Sequence, residues 1–235
     1  MRRFHSLVPL LALLPLAGCG PAPITGALFP LEAGHRWVYE LRSEWESGVV
    51  ESGRRVITTE GEDRLESGPA YRRRSADGVE WWLRADATGI YRVASKSDLD
   101  EAPKADPAQR FVLKAPVAVG TSWSATTTAY LLRRRQEFPP EIRHSHPSIP
   151  MTYTIEALDE KLSLRAGQFE RCVRVAGRAV LKLFADPVVG WHDMPLNTTE
   201  WYCPGPGLVK VVREEPANST FLVGGRQTLE LSEWR

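Results

Sequence analysis

Apolar and polar side chains alternate with a period of two along much of this chain. Trp37, Tyr39, Leu41 and Trp45 fall on one face of an extended segment, with Glu40, Arg42 and Glu44 on the other. Met151, Tyr153, Ile155 and Ala157 alternate with Thr152, Thr154 and Glu156, and Leu229 and Leu231 alternate with Glu230 and Ser232. This period predicts strands with one buried face. Glu-Ser-Gly tripeptides at 46–48, 51–53 and 66–68 predict turns between strands. Helical periodicity is hard to find after Cys19. The expected fold is mainly β: a single curved antiparallel sheet, open and half-barrel-like. Two stretches break the pattern. Asp98 to Gln109, acidic and then rich in Ala and Pro, predicts a loop or short helix. Glu137 to Pro150, with four prolines and two histidines, predicts an exposed excursion.

A degenerate repeat divides the body into halves, 29–97 and 110–235. Pro30-Leu31-Glu32-Ala33-Gly34-His35-Arg36-Trp37 and Pro116-Val117-Ala118-Val119-Gly120-Thr121-Ser122-Trp123 share Pro-apolar-x-x-Gly-x-x-Trp. Glu80-Trp81-Trp82 is matched by Glu200-Trp201-Tyr202, and Gly89-Ile90-Tyr91-Arg92-Val93 by Gly207-Leu208-Val209-Lys210-Val211. The first phrase predicts a tight turn that delivers a tryptophan into a strand. Coincidence from turn grammar common to β proteins is the alternative to a repeat.

The N-terminus has the three parts of an export signal over residues 1–18. Arg2 and Arg3 start it, Leu7 to Ala17 form an apolar run, and small residues follow. That run is broken by Pro9 and Pro15 and falls short of the about 18 apolar residues of a spanning helix. Leu16-Ala17-Gly18-Cys19 resembles the lipobox of bacterial lipoproteins. The resemblance implies cleavage before Cys19, acylation of that cysteine, and a membrane anchor. An ordinary secretory signal cleaved nearby is the alternative. Gly20 follows the cysteine where relatives retained at the inner membrane often carry Asp, which favours the outer membrane. Residues 19–28 then form a tether of about 25–30 Å at full extension, and 29–235 the β domain.

Charge narrows the partners. The whole chain carries 30 basic and 29 acidic side chains, and loss of Arg2 and Arg3 takes the formal charge from +1 to −1. Neither value supplies the basic field that nucleic acid demands.

Three phrases carry a wider resemblance: Phe29-Pro30-Leu31-x-x-Gly34-x-x-Trp37, Gly167-x-Phe169-x-x-Cys172-x-x-Val175, and Trp201-Tyr202-x-Pro204-Gly205-x-Gly207-Leu208-Val209-Lys210. They resemble a widespread family of uncharacterised bacterial secreted proteins and lipoproteins. Its sheet folds are reminiscent of the carriers of lipoprotein transport. Pro206 departs from the Val that relatives often place there. The family contributes no catalytic residues.

Candidate chemistry is sparse. With Cys19 reserved for lipidation, Cys172 and Cys203 form an even pair in an exported chain, which predicts a disulfide; two buried free thiols are the alternative. His144-Ser145-His146 in extended backbone would point both rings one way, a start for zinc or copper with His192 or Asp193 as distant help. No third ligand is set by spacing, so a solvated loop is preferred and no metal or other cofactor is assigned. Gly-x-Ser-x-Gly, His-Glu-x-x-His and Ser-x-x-Lys do not occur. Acid pairs such as Asp98/Asp100 and Asp159/Glu160 read as solvated. The runs Arg72-Arg73-Arg74 and Arg133-Arg134-Arg135 could meet an anionic headgroup or simply guard strand edges. Eight tryptophans is a high count, and Trp81 and Trp82 must point to opposite faces of a strand. Trp81, Trp82 and Trp201 are therefore the candidates to line a pocket. The expected role is non-enzymatic: an envelope lipoprotein that binds a lipid-like ligand or an envelope partner. A structural accessory subunit without ligand is the alternative, and a metal-dependent hydrolase the third reading.

Overall fold

Each half of the chain runs as a meander of six long strands. The computed structural model describes residues 27–135, 141–186, 188 and 190–235, so Cys19, the signal segment and most of the tether lie outside the described residues. The first half contains β1 (Arg36–Trp45), β2 (Val50–Leu65), β3 (Gly68–Ser75), β4 (Glu80–Asp86), β5 (Gly89–Lys96) and β6 (Lys104–Lys114). The second contains β7 (Ser122–Thr127), the two-residue β8 (Arg133–Arg134), a single helical turn α1 (Ile142–Ser145), and β9 (Ile149–Leu164). It continues through β10 (Gly167–Asp186), β11 (Gly190–Cys203), β12 (Gly207–Glu215), the two-residue β13 (Leu222–Val223) and β14 (Gly225–Trp234). Twelve strands form one antiparallel sheet in the order β6-β5-β4-β3-β2-β1-β14-β12-β11-β10-β9-β7, while β8 and β13 pair separately. The sheet curls into a nearly closed barrel with one seam, where the edge strands β6 and β7 face each other.

The two halves begin with the same local machinery. Gly34 and Gly120 have φ of 91° and 90°, a left-handed conformation that glycine adopts without strain. The Gly34 N–H donates to Thr59 O at 3.0 Å and the Thr59 N–H to His35 O at 3.0 Å. In the second half the Gly120 N–H donates to Ile155 O and the Ile155 N–H to Thr121 O, each at 2.9 Å. Each turn thus locks onto the second long strand of its own half and delivers a buried tryptophan, Trp37 or Trp123, into the first. The two junctions between halves differ. β14 and β1 are zipped by a hydrogen-bonded ladder from Trp45–Gly225 to Trp37–Trp234, whereas β6 and β7 are the unpaired edges of the sheet.

Three sequence expectations are corrected. Glu51-Ser52-Gly53 lies inside β2, where Ser52 faces Arg42 and Gly53 faces Leu41, because the long β1 extends the pairing through a sequence that looks like a turn. Glu46-Ser47-Gly48 and Glu66-Ser67-Gly68 do mark the β1–β2 and β2–β3 turns. Lys104 to Gln109 is strand, not loop or helix: it belongs to β6, whose Ala105 and Lys104 face Ala94 and Ser95. Pro107 is tolerated because β6 is an edge strand. His144-Ser145-His146 is not extended, since Ile142–Ser145 forms one helical turn and the His146 N–H donates to Ile142 O at 2.9 Å. Ile142 and Ile149 are buried, so residues 141–150 of that stretch pack back on the domain instead of standing free, while residues 137–140 lie outside the described residues.

The core is divided. One cluster joins Met151, Leu181, Leu183, Met194 and Leu196 with residues of the β7–β9 connection. A second surrounds the barrel interior with Phe29, Leu31, Leu83, Ile90, Leu113, Trp123, Ile155, Val173, Val175 and Tyr202. A third contains Trp37, Tyr39, Phe169, Leu231 and the disulfide between Cys172 and Cys203, whose sulfurs are 2.00 Å apart.

Candidate ligand cavity

Inside the barrel, side chains from both halves surround a cavity of about 270 Å3. Register explains how charged and apolar groups reach it together. Directly opposed residues of antiparallel strands share a face. Tyr71 of β3 opposes Leu83 of β4, Leu83 opposes Arg92 of β5, and Arg92 opposes Arg110 of β6. Arg73 opposes Trp81 in the neighbouring row. On the other wall Glu200 opposes Val175 and Val211, and Tyr202 opposes Val173 and Leu208. A bulge on β6 at Val112 lets the consecutive residues Phe111 and Val112 both line the space.

The polar groups are unequal. Arg92 makes two hydrogen bonds to Asp106, Nε–Oδ2 at 2.7 Å and a terminal nitrogen to Oδ1 at 2.5 Å. Arg73 is only 8% exposed. Its guanidinium carbon sits 3.9 Å from the centre of the Phe29 ring and 4.4 Å from that of Trp37. One terminal nitrogen donates to Pro30 O, while its buried Nε has no partner. Burial pulls the Arg73 pKa down to about 10. Arg110 is half-buried and makes no salt bridge among the described residues. Glu200 accepts a 2.5 Å hydrogen bond from the Tyr202 hydroxyl. Burial raises the Glu200 pKa, opposed by that hydrogen bond and by Arg213 and Arg110. Burial likewise raises the Tyr202 and Tyr153 phenols. Tyr153 stacks on Trp123 with centroids 5.7 Å apart and planes 10° from parallel.

Of the three tryptophans proposed from sequence to line a pocket, Trp81 does. Trp82 points to the other face, packs with Ala70 and Ala94, and donates its indole N–H to Asp63 at 2.8 Å. Trp201 donates to Glu160 at 2.7 Å and lies under Lys210, 5.7 Å from its ring centre. Both are held by partners of their own and take no part in the cavity. His144 and His146 lie at the helical turn, while His192 and Asp193 are exposed on β11, where Asp193 opposes Lys182. No group of three or more His, Cys, Asp or Glu suited to a metal ion occurs among the described residues. No helix among them is long and apolar enough to cross a membrane.

Sequence reading named Arg73 only within the Arg72-Arg73-Arg74 run that could meet an anionic headgroup, and missed Arg110, Glu200 and Tyr202 as cavity residues. A signal for Arg73 was present: Tyr71 and Arg73 alternate with Arg72 and Arg74, which places one arginine of the run on the inner face. Arg110 carried no such mark, because its face depends on the bulge on β6. Glu200 shares the face of Leu196, Thr198 and Tyr202 on β11, but a glutamate at that position reads as a surface charge.

No family profile and no curated protein matches the chain. Two solved structures are similar. One is described as "a putative lipoprotein from Parabacteroides distasonis ATCC 8503", 13% identical, with a TM-score of 0.43 over 90% of this chain and 99% of that one. The other is described as "a putative exported protein with YmcC-like fold" from Bacteroides fragilis NCTC 9343, 14% identical, with a TM-score of 0.37 over 89% and 99%.

Proposed function

We propose that this chain is a non-enzymatic envelope lipoprotein, acylated at Cys19 and held at the periplasmic face of the outer membrane, whose barrel binds a lipid-like ligand. The observation that carries the reading is the interior cavity, walled by Phe29, Trp81, Leu83, Phe111 and Tyr153 and reached by both seam strands. Its volume stands just below the roughly 300–1,000 Å3 usual for ligand sites, which suits one acyl chain or the end of a longer one. The lipobox-like Leu16-Ala17-Gly18-Cys19 supports the anchor, since two or more acyl chains give stable attachment. Ala27, the first described residue of the tether, accepts a hydrogen bond from the Gly205 N–H at 2.7 Å, so the tether meets the barrel at the β11–β12 turn.

A second reading, docking to an envelope partner, is favoured by one surface. Near the tip of the β10–β11 hairpin, Phe184 and Trp191 are 45% and 65% exposed and pack edge to face with centroids 6.1 Å apart.

Two measurements test the first reading. Radiolabelled palmitate should enter the wild-type protein and not Cys19→Ser. A soluble Cys19→Ser form, exported through an ordinary cleavage site and purified without detergent, should show extra mass in its native spectrum that disappears on denaturation and extracts as lipid. A clean apo mass, together with failure to bind added amphiphiles, would overturn the ligand reading and direct cross-linking to the hairpin surface.

A further inference from the structure

Resting on the reading of the cavity as a ligand site, we propose that its ligand is an amphiphile with a single acidic head group, whose anion pairs with Arg110 and Arg73 while its chain lies against Trp81, Leu83 and Phe111. Charge inside the cavity does not balance. Three guanidinium groups line it, and Asp106 matches only Arg92. Arg73 has two aromatic rings and one carbonyl for company, and its buried Nε is left without an acceptor. Glu32 acts on Arg73 only through space, with no salt bridge between them. A buried cation with no carboxylate in contact is costly, and charge–charge attraction strengthens as water is excluded. Arg110 also has no carboxylate partner among the described residues.

The carboxylate lining this space, Glu200, makes no salt bridge with either arginine, and Arg110 acts on it only through space. It accepts the Tyr202 hydroxyl at 2.5 Å. An incoming anion would supply what Arg73 and Arg110 lack, and charge-assisted hydrogen bonds to arginine are the stronger class. Apolar residues on the same wall then select a chain attached to that anion over a free small anion.

The soluble Cys19→Ser protein, stripped of lipid, would be titrated at pH 7.5 with dodecanoate, dodecanol and dodecyltrimethylammonium, displacing a fluorescent fatty-acid probe. Dodecanoate should bind at least tenfold more tightly than dodecanol, and the cationic amphiphile most weakly. Arg110→Gln, at a half-buried edge-strand position, should abolish the preference for dodecanoate while leaving dodecanol affinity within about twofold, and Arg110→Lys should restore part of it. Inorganic phosphate alone should not displace the probe. Equal affinities for dodecanoate and dodecanol, or an undiminished preference in Arg110→Gln, would overturn the acidic-head assignment while leaving the lipid-binding reading intact. Failure of all three amphiphiles to bind would overturn both.

Discussion

The Tyr202 hydroxyl and the Glu200 carboxylate, two residues apart on one strand, share a 2.5 Å hydrogen bond inside the barrel. Burial raises the Glu200 pKa, and Tyr153, Tyr39, Arg110, Arg213 and Arg73 are the other charged or titratable groups that act on this pair. The folded protein therefore holds the Glu200 proton to higher pH than the unfolded chain does. The corresponding stability is present at low pH and is lost as pH rises from about 4.5, the unfolded value, through the folded pKa. Glu200→Gln keeps an acceptor for Tyr202 and removes the titration. Its unfolding midpoint should lie above wild type at pH 8 and match it near pH 4. A gap that is constant with pH would contradict the assignment.

Removing the disulfide should weaken the fold without changing its topology. Cys172 and Cys203 are 31 residues apart and lie on the paired strands β10 and β11. Loop-closure entropy for that separation sets an upper value of about 3.7 kcal/mol. Cys172→Ala/Cys203→Ala should lower the free energy of unfolding read from urea titration by up to that amount, with an unchanged far-ultraviolet spectrum. Reductant should destabilise wild type and leave the double variant unaffected.

Glu215 is fully buried, and its loss should free the β7–β9 connection. Its carboxylate accepts the backbone N–H groups of Tyr130, Leu131 and Leu132 at 2.8–3.0 Å and pairs with Arg213 Nε at 2.7 Å. Glu215→Ala strands a buried arginine and three amides, a change of about 3–5 kcal/mol. Hydrogen exchange should accelerate first at residues 130–132, ahead of β1 and β14.

Trp81 and Trp82 should separate cleanly in binding. Trp81→Ala removes an aromatic wall of the cavity, and a buried aromatic contributes about 1.5–3 kcal/mol, so dodecanoate affinity should fall about tenfold or more. Trp82→Phe and Trp201→Phe, whose rings pack elsewhere, should bind as wild type. Quenching of tryptophan fluorescence on titration should be lost in Trp81→Phe alone.

The sheet was legible wherever alternation is strong. Trp37, Tyr39, Met151, Ile155 and Leu231 are all buried on strands, as their spacing predicts. The Pro-x-x-x-Gly phrases marked equivalent turns because a left-handed glycine leaves a recognisable residue behind. Lys104 to Gln109 was not legible, since an edge strand is held by its partner β5 and by the Arg92–Asp106 pair and has no apolar face of its own. The cavity was half legible. Trp81 announced itself, whereas Arg110 and Glu200 look like surface charges until the register across several strands is known. Bulges on β6 and on the pairing of β9 with β10 shift that register, and local sequence does not state them.

Two separate copies of a six-strand unit, meeting edge to edge as a symmetric pair, would be obliged to make two identical contacts. Both would be closed, or both would gape. Covalent fusion lifts that obligation. In this chain the contact made by the last strand with the first is a continuous backbone ladder, and the contact in mid-chain is left without one. The same architecture thereby has one junction held by a ladder and one held without it. A guest could pass between β6 and β7 without a single ladder hydrogen bond being broken.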